Sequence, residues 1–277
     1  MQTPSSRLRR AIIIDNLAVV ERLLRRFPNL LVNADLTNGW TSLHYAAYHG
    51  HFEICVCLTS LGHDANEVSL DTLGYTPLHL SALKNHEQAT HFLAQKFPHT
   101  LDMPTFPPQT VGYTPLILAS KEGNDASVNI LLDFGAEIDK SDYEGSRAIH
   151  FASEFGHKKV MRTLIERGAD YKNPNLLGWT ALQYSFSSSS RSYLSAITLE
   201  VERRHDAEQK QKALERKLRL EKPIASLGEH SSEASCTTAD KKRIEDLEKI
   251  DKEEINAYLE LAEVGNKTLQ SNLCENS

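Results

Sequence analysis

Three histidines that crowd one short stretch, His44, His49 and His51, are the first side chains that suggest chemistry. Histidine is a common zinc ligand, but no Cys, Asp or Glu stands beside these three at the spacing of a zinc site. His44 and His51 also occupy ordinary positions of a repeated pattern described below. We therefore expect structural roles for these histidines, and neither a bound metal nor another cofactor.

The four cysteines and the motif inventory give no sign of catalysis. Cys55 and Cys57 are two residues apart on a predicted helix, so they face different sides, and they fall where core residues belong. Cys236 and Cys274 lie far apart in polar sequence, which favours reduced cytosolic thiols. The chain lacks a phosphate-binding Gly-x-x-x-x-Gly-Lys-Ser/Thr loop and a Gly-x-Ser-x-Gly nucleophile elbow. The sequence therefore predicts a protein that is not an enzyme.

Composition and charge are those of an ordinary globular protein. The 277 residues are 40% hydrophobic and 25% charged, with a formal net charge of −6. No apolar stretch approaches the roughly 18 residues of a membrane-spanning helix. A mildly acidic chain with one small basic corner is also a poor candidate for nucleic-acid binding. The sequence therefore leaves other proteins as the expected binding partners.

The feature that organises the chain is a motif that recurs five times, in which a glycine precedes Thr-Pro-Leu-His or a variant of it. The glycines are separated by 35, 38, 33 and 33 residues, and they are Gly39, Gly74, Gly112, Gly145 and Gly178. This period resembles that of ankyrin repeats. Glycine permits the positive φ of a tight turn, threonine caps a helix, and proline suits its first turn. The histidine is placed to hydrogen-bond a neighbouring turn.

A second helix is predicted in each unit, and Gly62, Gly135 and Gly168 are expected to end three of them. The predicted fold class is therefore all-α, an ankyrin-repeat solenoid of helix-turn-helix units with short β-turn loops. About six units should occupy residues 1–204. The first is a cap without the Gly-x-Thr-Pro signature, and the last is degenerate because residues 185–192 are nearly all serine.

Beyond residue 204 the composition changes. Residues 205–222 are mostly charged and predict a helical extension. Residues 223–239 are rich in Ser and Thr and predict a disordered linker. Residues 240–277 predict an amphipathic helix and a flexible C-terminus. That helix could pack on a partner, fold back on the repeats or stay in solution.

Three surfaces are candidates for contacts. The first is the expected concave face, whose aromatic and charged composition is typical of interfaces: Tyr48, His49, Leu83, Lys84, Lys121, Glu122, Glu154 and Phe155. The second is a row of rings after the turn glycines, which either form an exposed surface or pack on neighbouring turns: Trp40, Tyr75, Tyr113 and Trp179. The third is a basic cap, which either meets an acidic partner or anionic lipid or only keeps the end soluble: Arg7, Arg9, Arg10, Arg22, Arg25 and Arg26.

Several stretches of the N-terminal half resemble a narrower family. They are residues 7–13, 22–26, 28–31, 38–46, 48–50, 54–56, 61–64 and 86–88. These stretches resemble the ankyrin-repeat accessory subunits of fungal target-of-rapamycin (TOR) complex 2, the "adheres voraciously to TOR" family. The resemblance is dense over about residues 5–100 and only that of a general ankyrin protein over 110–204.

The resemblance implies a non-catalytic scaffold in a kinase complex that acts in growth and plasma-membrane signalling. The implied partners are the TOR kinase, the rictor-like scaffold subunit and the other subunits specific to complex 2. The implied location is cytoplasmic, peripherally at the plasma membrane as part of the complex. An ankyrin-repeat adaptor in transcriptional or ubiquitin-pathway regulation is the alternative.

Overall fold

The computed structural model describes residues 3–65, 67–106 and 111–227, with side chains described through residue 216. The chain divides into two units between Glu208 and Gln209. Over the described residues the α-helices, in chain order, are α1 Pro4–Ile13, α2 Leu17–Arg26, α3 Ser42–His49, α4 Phe52–Ser60, α5 Pro77–Leu83, α6 Glu87–Lys96, α7 Pro115–Glu122, α8 Asp125–Asp133, α9 Ala148–Phe155, α10 Lys158–Glu166 and α11 Ser188–Leu227. Short 3-10 helices follow α2 and α6 at Pro28–Leu30 and Pro98–Thr100.

Helices α1 to α10 form five consecutive helix pairs. The first helix of each pair packs on the first helix of the next pair, and the second helices contact one another in the same order. Each pair buries one side of both helices, as Leu43 on α3 and Leu58 on α4 illustrate. A single pair has too little apolar surface to fold alone, so the stacked pairs share one continuous core. The predicted all-α solenoid of helical repeats is confirmed.

The repeated motif fixes where the first helices begin. Thr41, Thr76 and Thr114 are the N-cap residues of α3, α5 and α7. The Thr76 hydroxyl accepts a hydrogen bond from the backbone N–H of His79, which satisfies a donor that has no partner within the helix. The turn before each motif requires glycine. Gly145 has a φ of +76°, and a Cβ there would lie 2.9 Å from the backbone nitrogen of Leu176.

Buried histidines join successive repeats. The Nε2 atom of His44 lies 2.9 Å from the carbonyl oxygen of Tyr75 in the following repeat. His79 reaches the carbonyls of Met103 and Tyr113 in the same way, and His150 reaches that of Trp179. We call this set the inner histidine ladder. The expectation that the motif histidines bond neighbouring turns is confirmed.

The tautomer of each inner-ladder imidazole follows from its second nitrogen. Nδ1 of His79 accepts from the backbone N–H of Thr76 at 3.1 Å, and Nδ1 of His44 and of His150 accept equivalent bonds. Nδ1 is therefore unprotonated, and Nε2 carries the hydrogen that it donates. Burial lowers the pKa of all three imidazoles, that of His79 to about 4. The inner ladder consists of neutral histidines.

A second set of bonds, which we call the outer ladder, runs through the turns between the two helices of each pair. Nε2 of His51 contacts the carbonyl of Ile13, His86 that of Tyr48, and His157 that of Lys121. In the remaining repeat Asn124 takes the histidine's place and donates its amide N–H to the carbonyl of Leu83 at 2.8 Å. Repeats two to five are thus each tied to the preceding repeat, at the end of that repeat's first helix.

The last repeat departs from the expected form. Residues 181–184 form only a turn where a first helix is predicted, and α11 begins at Ser188 and continues to Leu227. Leu194 and Ile197 on α11 are buried, so the start of this helix serves as the second helix of the repeat. The predicted boundary at 204/205 lies inside α11, which also extends five residues into the predicted linker 223–239. The rest of that linker and the predicted helix after residue 240 lie outside the described residues.

Replacing His79 with isoleucine, the residue that the chain carries at the equivalent position 117, should destabilise the stack. The change leaves the buried Thr76 N–H and the buried Tyr113 carbonyl without the hydrogen-bond partner that the imidazole provides. We expect the free energy of unfolding to fall by about 1–3 kcal/mol near neutral pH, measured by urea denaturation.

The same comparison should depend on pH with a defined sign. Burial lowers the pKa of His79 from the ordinary 6.5 to about 4 in the folded protein. The stability that the neutral ring contributes is therefore complete above pH 6.5 and is lost as the pH falls toward 4. The stability difference between the parent and the His79→Ile variant should shrink across this window. The exposed His99, changed to Gln, is the control and should alter neither quantity. A difference that stays constant from neutral pH to pH 4 would contradict a neutral, buried His79.

Candidate protein-binding surface

The residues expected on the concave face stand at the C-terminal ends of the first helices. Tyr48 and His49 end α3, Leu83 and Lys84 stand at the end of α5, and the other members end α7 and α9. All eight are half-buried or exposed, and Phe155 is 50% exposed. The outer ladder anchors this surface, because its acceptor carbonyls include those of Tyr48, Leu83 and Lys121.

Tyr48 is the centre of the first of two aromatic patches. Its ring lies 5.0 Å from that of Trp40 and 5.2 Å from that of His49. The ammonium of Lys84, from the next repeat, lies 4.9 Å from the centre of the Tyr48 ring, within cation–π distance. With Tyr45, whose ring meets Trp40 edge-on, these residues form what we call the N-terminal patch.

Lys121 is the centre of the second patch. Its ammonium lies 4.7 Å from the ring centre of Tyr113 and 5.9 Å from those of Phe151 and Phe155. Tyr184 extends this patch by edge-to-face contacts with Phe151 and with Trp179. We call this set the C-terminal patch. It joins side chains from the last three repeats, and among them Phe151 is buried.

The four rings that follow the turn glycines, which we call the aromatic row, do not all form an exposed surface, which is the first of the two alternatives given above. Trp40, Tyr75 and Tyr113 are half-buried, and only Trp179, at 52%, is exposed. The Trp40 indole N–H donates to Asp71 of the next repeat at 3.0 Å, and Tyr75 packs edge-on against His79. Trp40 and Tyr113 therefore pack on the following repeat, and three of the four rings contribute to the two patches.

Sequence reasoning missed three members of these patches. Tyr45, Phe151 and Tyr184 each lie six residues after a turn glycine. The corresponding residues of the two central repeats are leucines, which makes this position look like ordinary core. An aromatic residue at one position of three repeats is the signal that identifies them.

Comparison with known proteins gives a match across most of the repeats. A family model described as ankyrin repeats in three copies matches residues 8–105 and 116–204. The chain belongs to the ankyrin-repeat family.

The chain is also similar to individual proteins of two yeasts. Target of rapamycin complex 2 subunit AVO2 of Saccharomyces cerevisiae is 40% identical over 168 residues, which are 61% of this chain and 38% of that protein. Palmitoyltransferase AKR1 of Lachancea kluyveri is 32% identical over 162 residues, 58% of this chain and 21% of that protein. The chain thus spans well under half the length of either relative.

The basic cap of the ankyrin stack divides into paired and unpaired arginines. Arg9 is turned inward, where it forms an ion pair with Asp35 at 2.9 Å and donates to the carbonyl of Ala34. Arg25 pairs with Glu21 at 2.9 Å, one helical turn away. Arg9 thus holds the segment that leads into the second repeat and is not part of a solvent-facing cap. The other four arginines are exposed and form no ion pair with a described carboxylate.

His49, His51 and Cys55, in the second repeat, are held by packing contacts. His49 and His51 stack on each other, and among the described residues no group of three or more His, Cys, Asp or Glu side chains is placed to hold a metal ion. Cys55 is fully buried, and burial raises the pKa of its thiol to about 12, so it is an unreactive core residue. In the part of the chain that the structure describes, no helix is both long and apolar enough to cross a membrane.

The electrostatics of the C-terminal patch can be tested directly. Burial raises the pKa of the Glu154 carboxyl, and the nearby positive charge of Lys121 opposes that shift. Replacing Lys121 with methionine should therefore raise the pKa of Glu154 further, measured by NMR titration of the side-chain carboxyl carbon. Lys96→Met, on the outer helix α6, is the matched control and should leave that pKa unchanged. An unchanged or lowered pKa in Lys121→Met would refute the proposed geometry.

Proposed function

We propose that this chain is a non-catalytic protein-interaction scaffold and serves as an accessory subunit of target of rapamycin complex 2. The observation that carries the proposal is the 40% identity to the AVO2 subunit of that complex. Because the chain spans only 38% of AVO2, the proposal concerns what the repeat stack does. Its partners would be the TOR kinase and the rictor-like scaffold subunit, in the cytoplasm next to the plasma membrane.

The two aromatic patches are the best-suited contact surfaces for such a subunit. Tyrosine and tryptophan supply large contact areas with few rotatable bonds, so burying them in an interface costs little conformational entropy. Lys84 and Lys121 lie over rings and form no ion pair with a described carboxylate. Lys121 donates one N–H to the Tyr113 hydroxyl at 3.4 Å, and an ammonium has three N–H donors, so both lysines can also donate to a partner. Phe155 offers the apolar anchor, since half of its surface is in solvent.

A scaffold role also agrees with the form of the fold. A stack of helix pairs fixes a long surface but encloses no deep polar pocket, and an enzyme usually needs one. A recess of about 430 Å³ lies between α2 and α4, and it is lined by Leu24, Pro28, Leu31, Cys57 and Leu61 together with Glu21, Arg25 and Ser60. The similarity to a palmitoyltransferase covers 21% of that enzyme, and an ankyrin segment alone is sufficient to account for it.

Affinity purification of the tagged full-length chain from its native cells, followed by mass spectrometry, tests the proposal. We expect the TOR kinase and the rictor-like subunit among the proteins recovered. Recovery of nuclear or ubiquitin-ligase proteins in their place would support the adaptor alternative and reject membership of complex 2.

Removing one aromatic anchor from each patch should weaken partner binding without unfolding the protein. The double variant Tyr48→Ala plus Phe155→Ala deletes two partly exposed rings, each of which can contribute about 1–2 kcal/mol as an interface anchor. We expect at least tenfold less complex recovered at an unchanged helical signal in circular dichroism.

The matched control for that variant is Leu36→Ala plus Phe186→Ala. These two side chains are 101% and 91% exposed and belong to neither patch. The control should bind like the parent. Unchanged binding by a folded Tyr48/Phe155 variant would move the contact surface elsewhere on the chain.

A further inference from the structure

The charge of the ankyrin stack is strongly asymmetric. Residues 3–36, which form the first repeat, contain six arginines and three carboxylates, a net charge of +3. Residues 37–204 contain 13 basic and 18 acidic side chains, a net charge of −5. The positive charge is therefore confined to one end of the stack. Salt screens charges that lie further apart than a Debye length, so the acidic repeats that follow cancel little of it.

All three carboxylates of this first repeat already have partners. Asp35 pairs with Arg9, Glu21 with Arg25, and Asp15 lies 3.4 Å from Nδ1 of His51. The positive charge that remains belongs to four exposed arginines, which are Arg7, Arg10, Arg22 and Arg26. Arg26 lies over the ring of Phe27 at 5.5 Å, a contact that leaves its charge in solvent.

These four arginines form two parallel stripes. Arg7, Arg10 and Ile14 follow one another at the spacing of one helix face along α1, and Val19, Arg22 and Arg26 do so along α2. A shallow recess of about 240 Å³ lies where the first stripe meets Val19 at the start of the second, and it is lined by Arg7, Arg10, Ala11, Ile14 and Val19. Ile14 is 62% exposed and Ile13 is 42% exposed beside them.

We propose that this two-stripe face is a binding surface for an anionic lipid membrane. The arginines are spread along two helices and do not converge on one cavity, which suits a surface of many negative headgroups better than a single compact anion. Long arginine side chains reach phosphates while their stems cover apolar surface. The exposed Ile13 and Ile14 add apolar side chains at the same edge, as surfaces that enter the headgroup layer do.

This proposal goes beyond the scaffold role and does not depend on it. A scaffold subunit reaches a membrane through its complex, whereas this face would bind lipid as the isolated protein. Vesicle binding by the purified chain and recovery of complex subunits from cells are separate measurements. Failure of either one leaves the other interpretable.

Sedimentation of the purified full-length chain with lipid vesicles tests the proposal. We expect binding to vesicles with about 30% phosphatidylserine in phosphatidylcholine, and little binding to phosphatidylcholine alone. Binding should weaken markedly between about 0.05 M and about 0.5 M salt, because the shorter Debye length screens the arginines from the surface.

The variant Arg10→Gln plus Arg22→Gln removes one charge from each stripe. Each basic residue near such a surface strengthens binding about fivefold, so the double variant should bind about 30-fold more weakly. The matched control, Lys96→Gln plus Lys159→Gln, removes two exposed charges from α6 and α10 and should bind like the parent. Circular dichroism checks that all three proteins are folded.

Three results would overturn the proposal. The first is no binding to phosphatidylserine vesicles at low salt. The second is an equal loss of binding in the lysine control, which would mean that only net charge matters. The third is binding of soluble polyglutamate through Arg10 and Arg22 without binding of vesicles, which would assign the face to an acidic protein.

Discussion

At three junctions of the stack, a buried imidazole accepts a hydrogen bond from the backbone at the start of its own helix and donates one to a carbonyl of the next repeat. These imidazoles belong to His44, His79 and His150. The rings are neutral because burial has lowered their pKa. A protonated ring would lose the acceptor nitrogen and carry an uncompensated buried charge. The alignment of successive repeats therefore depends on histidines that stay neutral, and the shared apolar core depends on that alignment.

The ladders also determine what the surface presents. The inner ladder ends on the backbone carbonyls of Tyr75, Tyr113 and Trp179, and the outer ladder ends on those of Tyr48 and Lys121, among others. Most of these residues also place their side chains in the two aromatic patches. The same residue thus gives its main chain to repeat stacking and its side chain to the surface. A preformed surface of this kind loses little entropy on binding, which suits a scaffold.

Local rules make most of the fold predictable from the sequence. The glycine, threonine and histidine of the motif act within a few residues, so their spacing predicts the turns, the helix starts and the bonds to the next repeat. The last repeat is harder to predict. A turn stands where its first helix is expected, and part of the serine run forms the start of α11. The side chain of Arg9 turns inward because Asp35 lies 26 residues away in sequence but within ion-pair distance in space. Periodicity carries no information on such pairs, nor on which aromatic rings meet between repeats.

Nitrogen-15 NMR of the histidine side chains tests the central claim most directly, because it reports the tautomer and the charge of each ring. His44, His79 and His150 should show the tautomer with hydrogen on Nε2 at neutral pH. They should also stay neutral below the ordinary pKa of 6.5, because burial lowers the pKa of each ring. Inner-ladder rings with hydrogen on Nδ1, or rings that become charged near pH 6.5, would contradict the account.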